Sequence, residues 1–139
     1  MIVGKDPPKS ILRYSRNPKV SVTGTVVDIR PYLARATVAV APLTYGTGVQ
    51  NKILEAMACG TPVVTSPQGI SSLFSKPGED ILVAKRADEF ASAIIRLFES
   101  PLLCKKIGTA GRQYVEKHHN WLRLANDLVS YYQDFSKES

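Results

Sequence analysis

The alternation of short β-branched runs with segments of helical spacing constrains the fold of this chain most strongly. The runs lie at residues 2–3, 20–22, 36–43, 62–65 and 81–83, and a break that contains glycine or proline follows each of them. Strands that alternate with helices are typical of a parallel sheet with crossover helices rather than of a β-sandwich. We therefore predict an α/β fold, a Rossmann-like parallel sheet with crossover helices and a helical C-terminus.

Three amphipathic segments follow the last predicted strand. The first has Phe90, Ala91, Ile94, Ile95 and Phe98 behind Asp88 as N-cap; the second has Leu103, Ile107, Ala110 and Tyr114; the third has Trp121, Leu124, Ala125, Leu128, Tyr132 and Phe135 behind Asn120. Apolar residues at this spacing form one face of a helix, and we predict that all three faces pack in the core. Gly108 and Gly111 weaken the second helix by roughly 1 kcal/mol each unless close packing requires them. With 139 residues, of which 44% are hydrophobic, residues 1–139 are predicted to form a single domain.

The charge distribution narrows the kinds of ligand. The net charge is +6, and residues 1–60 carry eight Lys and Arg against three acidic residues. A basic half favours an anionic partner, such as a nucleoside diphosphate, a nucleic acid or an anionic lipid surface. An ordinary solvated surface is an equally open alternative, because a modest net charge is common in globular domains. His118 and His119 end the second late helix, where capping is a stronger expectation than acid–base chemistry.

Location and redox chemistry are constrained by what the sequence lacks. Its apolar runs are too short to cross a bilayer, and its first six residues lack the features of a secretory signal, so a cytoplasmic location is predicted. Cys59 and Cys104 have no C-x-x-C spacing, so they predict neither a disulfide scaffold nor a metal site.

Residues 41–66 carry the most informative pattern, which is strand, glycine loop, helix and strand. The helix is predicted to begin near Val49 and to end at Cys59, because Gly60 suits the position after a helix and Pro62 prepares the next strand.

The start of this helix is a candidate anion site. The first amide groups of a helix have no partner within it and lie at the positive end of its dipole, and Gly46 and Gly48 leave room for a phosphate there. The pattern is neither a Walker loop nor the dinucleotide fingerprint, because Asn51 occupies the place of the third glycine.

Glu55 and Lys52 lie on the same helix. Glu55 follows the helix start by about 10 Å along the axis, roughly the span from a diphosphate to its ribose, and a carboxylate accepts hydrogen bonds from vicinal hydroxyls. Two alternatives stay open for these residues: Glu55 binds a ribose or faces solvent, and Lys52 contacts phosphate or is solvated.

The same stretch resembles the donor-binding segment of the retaining GT-B glycosyltransferases, the group 1 family. The residues that carry the resemblance are Gly46-x-Gly48 and Lys52-x-x-Glu55-Ala56-Met57-Ala58-x-Gly60-x-Pro62-Val63-Val64. Similar segments upstream, Val22-Thr23-Gly24-Thr25-Val26, and downstream, Pro77-Gly78-Glu79-Asp80, extend the resemblance over nearly the whole chain.

The resemblance implies transfer of a hexose from a nucleotide-sugar donor with retention, in polysaccharide biosynthesis and without a metal or other cofactor. It assigns the donor diphosphate and sugar to Gly46, Thr47, Gly48, Val49, Gln50 and Lys52, the ribose to Glu55, and the base to the backbone of Gly24, Thr25 and Val26. Thr47 stands where many members have a glutamate that contacts the transferred sugar. No catalytic residue is identified.

Family members also have an N-terminal acceptor domain, and their donor domain opens with a strand and helix that supply an Arg and a Lys. No segment of this sequence resembles the acceptor domain or that strand and helix. We therefore expect a fragment that is inactive alone and that binds the missing acceptor domain. We also expect peripheral association with the inner face of the membrane. We do not expect a nucleic acid partner.

Two other interpretations remain open. A noncatalytic nucleotide-binding or assembly module of the same fold would account for Thr47 and for the missing cationic loop. A binder of anionic surfaces would act through Lys5, Lys9, Arg13, Arg16, Lys19, Arg30 and Arg35.

Overall fold

The computed structural model describes residues 1–45 and 48–135. The chain divides into two compact units, Met1–Tyr32 and the residues from Leu33 onwards. The first unit contains helix α1 (Lys9–Leu12), which continues into a 3₁₀ turn at Arg13–Arg16. Helix α2 (Arg30–Arg35) runs across the boundary between the units.

The strands predicted at residues 2–3 and 20–22 form only one isolated parallel bridge, between Ile2 and Val22. The N–H of Ile2 donates to the carbonyl of Ser21 at 2.7 Å, and the N–H of Thr23 donates to the carbonyl of Ile2 at 3.0 Å. The prediction of two regular strands here was wrong in extent, because each run is too short to add further ladder bonds.

The second unit is built on a parallel sheet, as predicted. Its strands β1 (Ala39–Ala41), β2 (Val63–Thr65) and β3 (Leu82–Val83) pair in that order, with Ala39 opposite Val63 and Val64 opposite Leu82. Helix α3 (Asn51–Ala58) connects β1 to β2, and α4 (Pro67–Ile70) follows β2. Helices α5 (Ala87–Glu99), α6 (Pro101–His118) and α7 (Trp121–Phe135) complete the described residues.

Side chains that alternate along β2 fill two core clusters, because neighbouring residues of a strand point to opposite faces. Val63 packs in a cluster with Ile53, Met57 and Tyr114, and Val64 packs in a second cluster, with Leu82, Leu97 and Ile107. Helix α6 supplies Tyr114 to the first cluster and Ile107 to the second. It therefore ties both faces of the sheet together.

The two glycines of α6 allow this helix to approach other backbone closely. A Cβ atom on Gly108 would clash with the carbonyl oxygen of Gly60, and one on Gly111 would lie 3.0 Å from the carbonyl oxygen of Asp80. The close-packing alternative for these glycines is thus the one that the structure supports.

The start of α5 differs from the prediction that Asp88 is its N-cap. The helix begins at Ala87 with Arg86 as N-cap, and Asp88 lies in the first turn, where it pairs with the Arg86 guanidinium at 2.6 Å. Glu89 accepts from the backbone N–H of the N-cap residue Arg86 at 3.4 Å and from that of Lys85 at 2.7 Å, so its carboxylate ties the first turn to the residues before the helix.

The prediction that α7 packs in the core was wrong. All residues of this helix are exposed, including Trp121, Tyr132 and Phe135. Amphipathic spacing specifies that a helix has an apolar face but not which element covers it. The core interpretation holds for Tyr114, which is 6% exposed, and fails for Trp121, which is 84% exposed.

Candidate functional site

Helix α3 begins and ends close to the predicted positions. Gln50 is its N-cap residue, and the Gln50 carbonyl accepts from the N–H groups of Ile53 at 2.9 Å and Leu54 at 3.3 Å. The first amides of the helix precede its first hydrogen bond and are directed outward. At the other end Gly60 adopts a φ of +73°, the left-handed conformation predicted for the residue after the helix.

The glycine loop before α3 is described in part. Gly46 and Thr47 lie outside the described residues, so their assignment to the donor stays a prediction. Gly48 has a φ of +76°, and its carbonyl accepts from the Gln50 side chain at 3.4 Å. Val49 is 49% exposed. The left-handed backbone conformation of Gly48 directs the chain into the helix, and glycine is the residue that adopts this conformation without strain.

Glu55 is held in place by the packing of its own helix. Its neighbours Ile53, Ala56 and Met57 are at most 1% exposed, whereas Glu55 and Lys52 are exposed. Among residues 1–45 and 48–135, no side chain pairs with either of them. The backbone of Glu55 is therefore fixed by the packing of α3, and its exposed carboxylate is available to accept hydrogen bonds from a ligand.

Glu55 lines an open cavity of about 580 Å³, within the size range of small-molecule sites. Asn51, Leu54, Glu55 and Ala58 form one wall, since residues three and four apart share a face of α3. The other residues that line the cavity are Val49, Val115, His119, Trp121 and Leu124. The cavity thus places the Glu55 carboxylate, the beginning of α3 and an indole ring around one space.

His119 is fixed at the cavity by Tyr114. The Tyr114 hydroxyl accepts from the N–H of Phe74 at 2.9 Å and lies 3.2 Å from Nε2 of His119. Burial, together with the neighbouring His118, lowers the pKa of His119. The sequence predicted both histidines at a helix end, where the structure places them. It did not predict that Tyr114 is a partner of His119, because that contact depends on the tertiary fold.

We expect acid to destabilise the fold through His119. Because its pKa is lower in the folded state, the unfolded chain binds more protons, and stability falls as the pH drops from the ordinary histidine range towards the lowered value. The His119→Gln variant should lose that part of the pH dependence. Urea unfolding gives the free energy of unfolding of both proteins at pH 8 and at pH 5.5. An equal change in this free energy between the two pH values would contradict the assignment.

The predicted base-binding residues lie in the first unit. Gly24 has a φ of +70° and its carbonyl accepts from the Thr23 hydroxyl at 3.0 Å, while Thr25 is exposed and Val26 is half-buried. Asp28, which follows these residues, accepts from the backbone N–H of Arg30 at 2.9 Å. The Arg30 side chain lowers the pKa of this carboxyl.

Among residues 1–45 and 48–135, no three His, Cys, Asp or Glu side chains are grouped closely enough to hold a metal ion. None of the helices described is both long and apolar enough to span a bilayer.

Comparisons with known proteins agree on one family. The profile described as "Glycosyl transferases group 1" matches residues 1–100. Alpha-maltose-1-phosphate synthase of Mycobacterium tuberculosis is 33% identical over 118 residues, 78% of this chain and 30% of that protein. The putative teichuronic acid biosynthesis glycosyltransferase TuaC of Bacillus subtilis is 30% identical over 142 residues, 100% of this chain and 36% of that protein.

A solved structure gives the same result for the fold. Sucrose-phosphate synthase from Thermosynechococcus elongatus superimposes with a TM-score of 0.79 and 28% identity, over 99% of this chain and 38% of that one. The chain thus spans about a third of the length of the proteins that it matches. The α/β fold with its parallel sheet is the fold of GT-B glycosyltransferases.

Proposed function

The chain belongs to the group 1 glycosyltransferases, and from that premise we propose that it binds the nucleotide-sugar donor of a retaining hexosyl transfer. The observation that carries the proposal is the shared cavity of Glu55 and the beginning of α3. Asn51 and Glu55 are about 6 Å apart along the helix axis, less than the about 10 Å expected from a start near Val49, because the helix begins two residues later. A diphosphate at the first amides and a ribose at the carboxylate belong to one nucleotide at this spacing.

The chemistry of the proposed step is electrostatic. Retaining transfer requires the diphosphate to leave, and the negative charge that develops on it is stabilised by helix amides, by the positive end of the dipole and by a nearby cation. The first amides of α3 and the exposed Lys52 are suited to these roles. Glu55 holds the ribose and so fixes the diphosphate against the helix.

Hexose as the transferred group is supported by the names of the relatives, since maltose and sucrose are built of hexoses. The relatives are about three times as long as this chain. We therefore assign donor binding to the chain and acceptor binding to a further domain, and we expect no transfer by the chain alone.

Titration calorimetry with UDP, GDP, ADP, CDP and inorganic pyrophosphate tests the donor site. We expect one nucleoside diphosphate to bind more tightly than the others and than pyrophosphate, at both low and high salt. Binding of all five with equal affinity, lost in high salt, would instead indicate simple attraction to a basic protein.

A second proposal, peripheral association with an anionic membrane, rests on the first unit. Lys9, Arg13 and Arg16 are spaced so that they lie along one face of α1 and its 3₁₀ turn, and all three are exposed. No carboxylate pairs with them among the described residues. Leu12, 47% exposed, adds an apolar contact beside these cations.

Charge reversal of these three residues tests the membrane proposal. The triple Glu variant should lose sedimentation with vesicles of anionic lipid, since each basic residue near such a surface contributes about 1 kcal/mol. The matched control, Lys105→Glu with Lys106→Glu and Lys117→Glu on α6, changes the net charge by the same amount and should sediment like the parent protein. Equal loss in both variants would show that net charge alone decides binding.

A further inference from the structure

Trp121 is the only tryptophan of the chain, and its indole is 84% exposed at the first position of α7. Large aromatic side chains are ordinarily covered, because burial of their apolar area is strongly favourable. Trp121 instead lines the cavity that Glu55 also lines. All of α7 is exposed, so exposure alone does not distinguish Trp121; its place beside Glu55 does, since it brings a large aromatic surface to the same cavity.

The position of Trp121 is fixed by the junction of α6 and α7. The Asn120 side chain accepts from the N–H groups of Leu122 at 2.9 Å and Arg123 at 3.3 Å, which caps the start of α7. The Arg123 guanidinium donates to the carbonyl of Lys117 at 3.2 Å, across the junction. These bonds hold the first turn of α7, and Trp121 with it, against the end of α6.

The walls of the cavity suit a polyhydroxylated ring. Glu55 and Asn51 supply polar groups from α3, whereas Leu54, Val115 and Leu124 supply apolar surface. A sugar ring has a hydroxyl edge that binds carboxylate and amide oxygens, and it has a face of C–H groups that packs on apolar or aromatic surface.

We propose that Trp121 is a donor-binding residue, whose indole packs against the C–H face of the ribose that Glu55 holds by its hydroxyls. The inference rests on the donor site proposed above. It adds a residue from a helix late in the chain to a site otherwise built from α3 and the loop before it. Trp121 contributes by covering the ring, and Glu55 by accepting its hydrogen bonds.

The single tryptophan makes the test direct, because the intrinsic indole fluorescence of the chain arises from this cavity. UDP, GDP, ADP and CDP are each titrated in parallel by calorimetry and by fluorescence. We expect Trp121 emission to shift to shorter wavelength and to saturate with the dissociation constant that calorimetry gives. Glu55→Gln should weaken both signals together.

Variants separate packing from hydrogen bonding. Trp121→Ala should raise the dissociation constant about three- to tenfold, and Trp121→Phe should restore most of the affinity. The control is Leu122→Ala, the next residue of the same helix, which is 73% exposed and is not among the residues lining the cavity. This variant should bind like the parent chain.

The outcomes distinguish the two proposals. Heat of binding without a change in Trp121 emission, and with Trp121→Ala binding normally, would overturn the role of Trp121 and leave the donor site intact. No heat with any of the four nucleotides would overturn the donor site of this chain and the role of Trp121 with it.

Discussion

Glu55→Gln is expected to raise the dissociation constant for the preferred nucleoside diphosphate by about ten- to a hundredfold. A hydrogen bond to a charged group contributes about 1.5–3 kcal/mol, and glutamine keeps one carbonyl oxygen but loses the charge and the second acceptor. The thermal unfolding midpoint should not change, because Glu55 is exposed and Ile53, Ala56 and Met57 provide the packing of α3. Calorimetry and circular dichroism measure the two quantities.

The sign of this effect is itself informative. Removal of a negative charge strengthens the long-range attraction of a protein for an anion, so weaker binding by Glu55→Gln cannot come from net charge. Glu99→Gln on the exposed side of α5 removes the same charge and serves as control. Similar dissociation constants for the two variants would contradict a ribose contact at Glu55.

Gly108→Ala should lower the free energy of unfolding by about 2 kcal/mol, the usual cost of an overpacked contact. The new Cβ atom would clash with the backbone carbonyl of Gly60 and lie 3.4 Å from Cδ of Pro62, so α6 would have to move away from the turn between α3 and β2. Alanine in an exposed helix position would instead stabilise by up to about 1 kcal/mol. Urea unfolding followed by circular dichroism gives the difference.

Two further variants calibrate that result. Thr109→Ala changes the adjacent, exposed residue of α6 and should be neutral or slightly stabilising. Gly111→Ala should lie between the two, because its Cβ would meet the Asp80 carbonyl at 3.0 Å and a flexible Met57 side chain at 3.4 Å. A Gly108→Ala protein as stable as the Thr109→Ala protein would show that α6 does not approach Gly60 so closely.

Local patterns explain how much of the fold the sequence could predict. The runs at 36–43, 62–65 and 81–83 each contain a strand of the sheet. Helix α3 ends within one residue of the prediction, because Gly60 and Pro62 mark the end of its segment, and it begins within two residues of the predicted start. The strands are shorter than the runs, since a strand extends only as far as its neighbours pair with it. Pairing is a tertiary property, which explains the single bridge at Ile2 and Val22.

The candidate site, too, could be predicted from the sequence only where it depends on a single helix. The spacing from the start of α3 to Glu55 lies within one helix, so sequence reasoning could place both on one side of it. The cavity also needs α6 and α7, and the apolar spacing around Trp121 was therefore mistaken for a core face. Residues 46 and 47 remain predictions as donor contacts.

The attachment of α6 to both faces of the sheet has a consequence for biosynthesis. Ile53, Met57 and Val63 complete their cluster with Tyr114, which lies 51 to 61 residues later in the chain. A ribosome that has released only the three strands has therefore released a sheet whose apolar side chains still face water. Folding of this unit is expected to wait until residue 114 has left the exit tunnel, and during that interval the nascent segment is a natural client for chaperones.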